Sequence, residues 1–236
     1  MKTRTTPVLV SMLFFATGFM IADLASAQNL PVMVSIDLTG NTKPISPLIY
    51  GINAYVYDSE WKTEADWKVG LANAPMDLNV GSRRLGGNTM TSYNWENGFS
   101  NSGVDSHNEN SNFQSFITGA GEAPYGPGDA LKTFHNHSMQ LGASSLLDLP
   151  CAGFVAADGN GAVAAGEAAP SARWKVLSFA KPGAPGSYML SPDLNDGTVY
   201  VDEEIHFLTS TFGAANSATG IQGYELDNEP GLWHTA

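Results

Sequence analysis

Short apolar runs, separated by turns rich in glycine and proline, predict a series of β-strands along this chain. The runs are Pro31–Leu38, Leu48–Tyr55, Val80–Gly87, Ala143–Pro150 and Ile221–Asn228. The first run alternates apolar and polar residues, which predicts a strand with one buried face. The other four lack strict alternation, which is typical of strands buried on both faces of a parallel sheet.

Three stretches between these runs predict helices. Glu64–Asn73 is a short candidate, and Pro127–Gly142 begins with proline and ends at glycine. Asp202–Phe212 has acidic residues in its first turn, where the helix dipole favours them. Alternating strands and helices predict a parallel sheet with helical crossovers. A long polar and aromatic loop is expected over Asn88–Gly128, and irregular structure over Ala152–Tyr200.

The first 27 residues predict a secretory signal peptide. Lys2 and Arg4 precede an apolar run over Val8–Ile21, and small residues at Ala25–Ala27 favour cleavage after Ala27. A membrane anchor is the alternative, but the run of about 14 residues is shorter than the roughly 20 that a spanning helix needs. We therefore expect a secreted protein that has no membrane association after cleavage.

The composition narrows the classes of partner. The net charge is −12, and an acidic surface disfavours nucleic acid and anionic membranes while suiting a neutral substrate. Cys151 is the single cysteine, so no internal disulfide can form, and a buried structural thiol is expected rather than a nucleophile. The length suffices for one sizeable core, and a monomer is expected.

Polar residues collect where the predicted parallel strands end. They are Asn53, Asn88, Asp148, Asn228 and Glu229. In parallel α/β folds, ligands bind at the carboxyl ends of the strands. The sequence therefore predicts a binding or catalytic site at this edge of the sheet.

Glu229 is the candidate for acid–base chemistry. A carboxyl group partly removed from water can keep its proton near neutrality, and glycoside hydrolysis uses one such acid with a second carboxylate. The neighbouring Asn228 can donate to a substrate hydroxyl, and Pro230 ends the strand. Capping of the next loop by Asp227 and Glu229 is the simpler interpretation of these residues by themselves.

A longer set of motifs favours acid–base chemistry at Glu229 over loop capping. They are ISPLIYGIN, SRRLGGNTMTSYNWENGFSNSG, AADGNG, APSARWKVLSFAK and YELDNEPGLWH. With these motifs, nearly all of the chain after residue 27 resembles glycoside hydrolase family 44, the endo-β-1,4-glucanases. The RRLGGN and YNWEN segments are fairly specific, whereas NEP alone marks a larger clan of retaining barrel enzymes.

The resemblance implies a fold and a domain organisation. The expected fold is α/β, an incomplete (β/α)8 TIM barrel with about the first four βα units. The expected division is a signal peptide over residues 1–27, a strand segment of an accessory β-sandwich over 28–47, and part of the catalytic domain over 48–236.

The resemblance also implies an activity. Glu229 would be the general acid/base of a secreted retaining endo-β-1,4-glucanase acting on β-glucan, and Asn228 would contact the sugar. The family's nucleophile lies on the seventh strand and has no counterpart here, so the chain is expected to be truncated and inactive as given. The alternatives are a non-catalytic carbohydrate-binding protein, or a related retaining barrel hydrolase acting on xylan, mannan or xyloglucan.

Other residues are weighed as substrate contacts. Asn88 is predicted to bind substrate from a strand end. Trp67 and Trp95 are predicted to bind it because flat indole faces stack on sugar rings, although buried tryptophan is the commoner case. Trp95 is favoured because its polar neighbours, Asn94, Glu96 and Asn97, supply donors and acceptors that suit a sugar. Either Arg83 or Arg84 is expected to face the barrel interior, where a buried arginine needs a carboxylate partner. An ordinary structural ion pair is the alternative for that arginine.

No cofactor is expected to be required for the chemistry, and no set of metal ligands is assigned. His135 and His137 are two residues apart on a predicted helix, so they do not share a face as zinc ligands would. Asp158–Gly161 supplies oxygen ligands in a glycine-rich loop, but a plain turn is the simpler interpretation of that loop by itself. A structural calcium ion is implied by the resemblance.

Overall fold

The computed structural model describes residues 34–37, 40, 42–53, 80–104, 106–113 and 126–231. The chain divides into two compact units, Met1–Lys43 and Pro44–Ala236. In the first unit, residues 34–37 form no strand, and Val34 and Ile36 are 77% and 75% exposed. A segment this exposed buries no apolar face, so the predicted strand is wrong over these four residues.

The second unit contains ten strands and three α-helices among its described residues. The strands are β1 (Gly51–Asn53), β2 (Ser82–Leu85), β3 (Phe99–Ser100), β4 (Glu109–Asn112), β5 (Ser144–Leu149), β6 (Phe154–Ala156), β7 (Gly161–Ala162), β8 (Trp174–Ser178), β9 (Thr198–Tyr200) and β10 (Gly223–Leu226). The helices are α1 (Asn88–Thr91), α2 (Asp129–Gln140) and α3 (Val201–Phe212), with 3₁₀ turns over Pro47–Ile49 and Ala165–Glu167.

Four strands form one parallel sheet in the order β1, β2, β5 and β10. The register pairs Arg84 with Leu146 and Asp148 with Glu225. Because successive strands of this sheet are neighbours and run in one direction, their carboxyl ends meet at one edge. The predicted parallel sheet is confirmed, although each strand is shorter than its apolar run.

Helix α2 covers one face of this sheet. The Arg83 guanidinium lies 4.6 Å from the centre of the Phe134 ring, and Arg83 Nη1 donates to Ser138 Oγ at 3.1 Å. His135 is fully buried, with Nδ1 2.8 Å from Ser145 Oγ and Nε2 2.9 Å from the Thr219 carbonyl oxygen. Burial lowers the pKa of His135, and its two nitrogens are engaged by the protein. His135 therefore has a structural role in this packing.

Helix α3 uses its acidic first turn to hold a neighbouring loop. Asp202 accepts hydrogen bonds from the Lys181 backbone N–H at 2.9 Å and from the Tyr188 hydroxyl at 3.0 Å. Glu203 Oε1 accepts from Lys181 Nζ at 2.5 Å and from the Met189 N–H at 2.6 Å. The two acids therefore stabilise the loop as well as the helix N-terminus.

Residues 152–200 are more regular than the sequence predicts. Strands β6, β8 and β9 form a three-stranded sheet, and β7 joins β3 and β4 in a second one. These strands have two to five residues, which is too short for hydrophobic periodicity to show. The prediction of irregular structure is wrong at these positions.

Asparagine side chains make burial of the polar loops feasible. Asn94 Nδ2 donates to the Ala156 carbonyl oxygen and Asn110 Nδ2 to that of Arg173, both at 2.9 Å. Asn101 Nδ2 donates to Asn110 Oδ1 at 3.0 Å. Buried loop backbone needs such partners, because water is excluded.

No helix among the described residues combines the length and apolar character needed to cross a membrane.

Candidate active site

The edge where β2, β5 and β10 end carries a set of polar side chains that we call the Arg84 cluster: Arg84, Asp148, Glu225 and Asn228. Arg84 Nε donates to Glu225 Oε1 at 2.5 Å, and Nη2 donates to Asp148 Oδ2 at 2.7 Å. Nη2 also lies 3.2 Å from Asn228 Oδ1. One guanidinium on β2 therefore holds residues that belong to or follow two other strands, β5 and β10.

Side-chain alternation explains which arginine reaches this cluster. Successive side chains on a strand point to opposite faces, so Arg83 faces α2 while Arg84 faces the other side of the sheet. Burial lowers the pKa of Arg83 to about 10. Arg84 is therefore the arginine that binds carboxylates at this edge, and its position in a barrel interior stays a prediction.

The two carboxyl groups of the cluster are driven apart in protonation. Burial, together with a hydrogen bond to Glu225, raises the pKa of Asp148 to about 8, against the opposing charge of Arg84. Burial raises the pKa of Glu225, but hydrogen bonds from Asp148 and Arg84 outweigh this effect and hold the pKa below its usual value. Asp148 Oδ2 also accepts from the Gly87 N–H at 3.1 Å. The pKa values of the two carboxyl groups are therefore shifted in opposite directions.

The residues after β10 form a sharp turn. Asp227 and Glu229 have positive φ angles of 61° and 40°, a region that non-glycine residues seldom adopt. Asn228 Nδ2 donates to Asn88 Oδ1 at 3.2 Å and to Glu229 Oε2 at 3.1 Å. The turn therefore places the amide of Asn228 against the carboxylate of Glu229.

Glu229 lies at the outer limit of this edge and is exposed. The described part of the chain therefore does not withdraw this carboxyl group from water, contrary to the expectation from the sequence. Asn88 contacts Asn228, so the structure brings together three of the predicted site residues. Trp67 lies outside the described residues.

Trp95 does not face a substrate. It is fully buried, and its ring lies 5.2 Å from that of Phe207 on α3. The polar neighbours that favoured a sugar contact bind protein instead: Asn97 Nδ2 donates to the Ala156 carbonyl oxygen at 3.3 Å, and Glu96 accepts from Lys175 Nζ at 2.9 Å. The prediction is wrong because these polar groups are used within the protein: Asn97 binds a buried backbone carbonyl, and Glu96 pairs with the charge of Lys175.

Glu225 is not among the site residues predicted from the sequence, and Asp148 is predicted only as a polar residue near a strand end. A charge inside a nearly continuous apolar strand must find a partner when both faces of the sheet are covered. Arg84, Asp148 and Glu225 all fit that description. This signal identifies the three residues as a set, without giving their distances.

The loop over Asp158–Gly161 does not fit a cation. Asp158 accepts two hydrogen bonds from Arg173 Nε, at 3.1 and 2.9 Å, and a third from the Asn160 N–H at 2.9 Å. A cation there would have to replace the guanidinium. Among the residues that the structure describes, no group of three or more His, Cys, Asp or Glu side chains is arranged to hold a metal ion.

Comparisons with known proteins cover most of the chain. A family model described as Glycoside hydrolase family 44 matches residues 99–236. Endoglucanase A of Paenibacillus lautus is 41% identical over 206 residues, which are 86% of this chain and 26% of that protein. Beta-mannanase/endoglucanase A of Caldicellulosiruptor saccharolyticus is 41% identical over 203 residues, 86% of this chain and 14% of that protein.

A solved structure supports the same relationship. The family 44 xyloglucanase of Paenibacillus polymyxa, in its structure with xyloglucan, has a TM-score of 0.69 and 49% identity. The match covers 82% of this chain and 34% of that one. The chain therefore spans about a quarter to a third of the lengths of Endoglucanase A and of this xyloglucanase.

Proposed function

Because the chain belongs to glycoside hydrolase family 44, we propose that it forms part of a retaining endo-β-1,4-glucanase in which Glu229 is the general acid/base. The observation that carries the proposal is the position of Glu229 beside Asn228 at the carboxyl edge of a parallel sheet. Glycosidic bonds need a proton at the leaving oxygen, and an accessible carboxyl group at a strand end can supply it.

In this mechanism, Glu229 protonates the glycosidic oxygen as the bond breaks and later takes a proton from water. Asn228, whose amide is oriented by Arg84 and Asn88, donates to a sugar hydroxyl beside the reacting carbon, using the N–H that contacts Glu229 Oε2 before substrate binds. The Arg84 cluster holds these groups before substrate arrives, which reduces the cost of ordering them. The substrate is a neutral β-glucan, in agreement with the acidic composition of the chain.

Retention requires a second carboxylate as the nucleophile, about 5 to 5.5 Å from the acid. The other carboxyl groups described at this edge are already engaged by protein donors. They are Asp148, Glu225 and Asp227. The proposal therefore takes its nucleophile from outside these three described residues. Because the family resemblance implies a nucleophile on a seventh strand, we expect residues 28–236 alone to release no sugar.

The parallel sheet supports a barrel as the complete architecture. Its four strands follow chain order across the sheet, as in the first half of a (β/α)8 barrel. Doubly wound sheets instead reverse their strand order at a switch point. Export with removal of residues 1–27, a monomeric state and a structural calcium ion outside the Asp158 loop remain part of the proposal.

The test uses a chimera in which residues 28–236 replace the matching segment of Endoglucanase A from P. lautus. We expect the chimera to release reducing ends from carboxymethylcellulose, with parallel assays on xyloglucan, mannan and xylan to rank the substrates. A folded chimera that binds β-glucan without hydrolysing any of these polymers would favour the alternative, a non-catalytic carbohydrate-binding protein.

A further inference from the structure

The carboxylate of Asp227 joins three loops at the edge that carries Glu229. Its Oδ1 accepts from the Thr91 hydroxyl at 2.7 Å and from the Asn228 N–H at 2.6 Å. Its Oδ2 accepts from the Cys151 N–H at 2.6 Å. Asp227 is only 6% exposed, so these three donors take the place of water around the carboxylate.

The three donors come from different parts of the sheet. Thr91 lies in α1 after β2, Cys151 follows β5, and Asn228 follows β10. Both carboxylate oxygens are needed, because the Thr91 and Cys151 donors approach different oxygens. An amide has a single acceptor oxygen and cannot satisfy both donors.

The backbone at Asp227 explains why this anchoring matters for its neighbours. Adjacent side chains on a regular strand point to opposite faces, but Asn228 Nδ2 donates to Glu229 Oε2 at 3.1 Å. The left-handed conformation of Asp227, with φ 61°, turns the chain so that both side chains lie together. Most L-residues avoid that conformation, aspartate adopts it more readily than most, and the hydrogen bonds of Asp227 stabilise it here.

We propose that Asp227 is a positioning residue, whose carboxylate fixes the turn that sets Asn228 and Glu229 relative to each other. The inference rests on the proposed function of Glu229, and it assigns Asp227 no contact with substrate. The loops after β2 and β5 thereby act on the acid/base through one side chain. Thr91 is the remote member of this arrangement, because its hydroxyl contacts Asp227 and not Glu229.

The substitutions distinguish the effect of the Asp227 side chain from the effect of its backbone conformation. Asp227→Gly accepts the positive φ but removes all three hydrogen bonds, whereas Asp227→Asn tolerates the same φ and loses the acceptor for Cys151. Thr91→Val keeps the side-chain shape and removes one donor. Asp202→Asn is the matched control, since Asp202 also accepts from a backbone N–H and a hydroxyl, on α3.

The kinetic arm uses the active chimera. We expect Asp227→Gly to lower kcat by about 10- to 100-fold on cellulose oligomers, because a small displacement of the acid is enough to cause such a loss. The loss should be smaller on an aryl cellobioside with a good leaving group, where the first step needs little protonation. Asp227→Asn and Thr91→Val should lose less than Asp227→Gly, and Asp202→Asn should keep the parent kcat.

A second arm uses the 236-residue chain and needs no activity. Hydrogen exchange followed by NMR should show faster exchange of the Cys151 amide in Asp227→Asn, and unchanged exchange in Asp202→Asn. Folded Asp227→Gly with kcat within twofold of the parent, or with equal losses on both substrates, would overturn the positioning role. If Glu229→Gln in the same chimera keeps full activity, the proposed function itself fails, and that outcome is distinct from failure of Asp227.

Discussion

Arg84 Nε lies 2.5 Å from Glu225 Oε1, although β5 separates the two strands that carry these residues. The guanidinium spans the intervening strand because Nη2 binds Asp148, the β5 residue that is paired in register with Glu225. A planar guanidinium can bridge several acceptors in fixed directions, whereas an ammonium group acts as a single point charge. The geometry of the proposed site therefore depends on arginine at position 84.

The first prediction concerns this guanidinium. We expect Arg84→Lys to lower the free energy of unfolding by about 2 kcal/mol, because a single ammonium group cannot bind both Glu225 and the buried Asp148 in the directions that the guanidinium provides. Urea denaturation of residues 28–236 measures the change. Arg173→Lys is the matched control, since Arg173 also binds two carboxylates, Asp158 and Glu167, away from the parallel sheet. Equal losses of unfolding free energy in the two variants would show that the Arg84 cluster contributes no more to stability than the Arg173 ion pairs do.

The second prediction concerns Glu204 on α3. Burial raises the pKa of Glu204 to about 8, so the folded state binds a proton more tightly than the unfolded chain does. Its contribution to stability is fully present below the unfolded pKa of about 4.3, and it is lost as the pH rises through 8. Glu204→Gln removes the ionisation and keeps the shape, so it should stabilise the protein at pH 8.

Thermal unfolding between pH 5 and pH 9 measures this difference between Glu204→Gln and the parent chain. Glu96 and Asp148 also have raised pKa values, about 7 and about 8, and His135 has a lowered one, so the parent profile sums several groups. The difference between the two proteins isolates Glu204. A gain in Tm from the substitution that is as large at pH 5 as at pH 8 would contradict the assignment.

The third prediction concerns Trp95, which is buried against Phe207. Trp95→Ala should lower the free energy of unfolding by about 3 to 5 kcal/mol, because it leaves a large cavity. In the chimera, the milder Trp95→Phe should keep the KM for cellulose oligomers within twofold of the parent. A tenfold increase in KM with unchanged Tm would instead support the prediction from the sequence that Trp95 contacts substrate.

The elements of the parallel sheet could be predicted from the sequence for a physical reason. Strands buried on both faces need continuous apolar residues, which makes runs such as Ala143–Pro150 visible. Helices α2 and α3 carry ordinary start signals at Asp129 and Asp202. The short strands β3, β4, β6 and β7 gave no such signal, because pairing with distant segments sets their conformation.

The candidate site was predictable only in part. Glu229 and Asn228 stand in a recognisable motif, and their proximity to Asn88 follows from the parallel strand ends. The choice between Arg83 and Arg84 depends on which face α2 covers, and alternation alone cannot give that face. Trp95 was misjudged because polar neighbours in sequence suggest exposure, whereas here they bind Lys175 and the Ala156 carbonyl.

The most direct test of the central claim is the leaving-group dependence of Glu229→Gln in the active chimera. We expect a loss in kcat/KM of about 10² to 10⁴ on cellulose oligomers, where the leaving oxygen needs a proton. We expect a much smaller loss in the first step with dinitrophenyl cellobioside, because dinitrophenolate leaves without protonation. Glu109→Gln, a change at an exposed carboxylate on β4, should keep the parent rates on both substrates. Parent-like hydrolysis of cellulose oligomers by Glu229→Gln would contradict the assignment of Glu229 as the general acid/base.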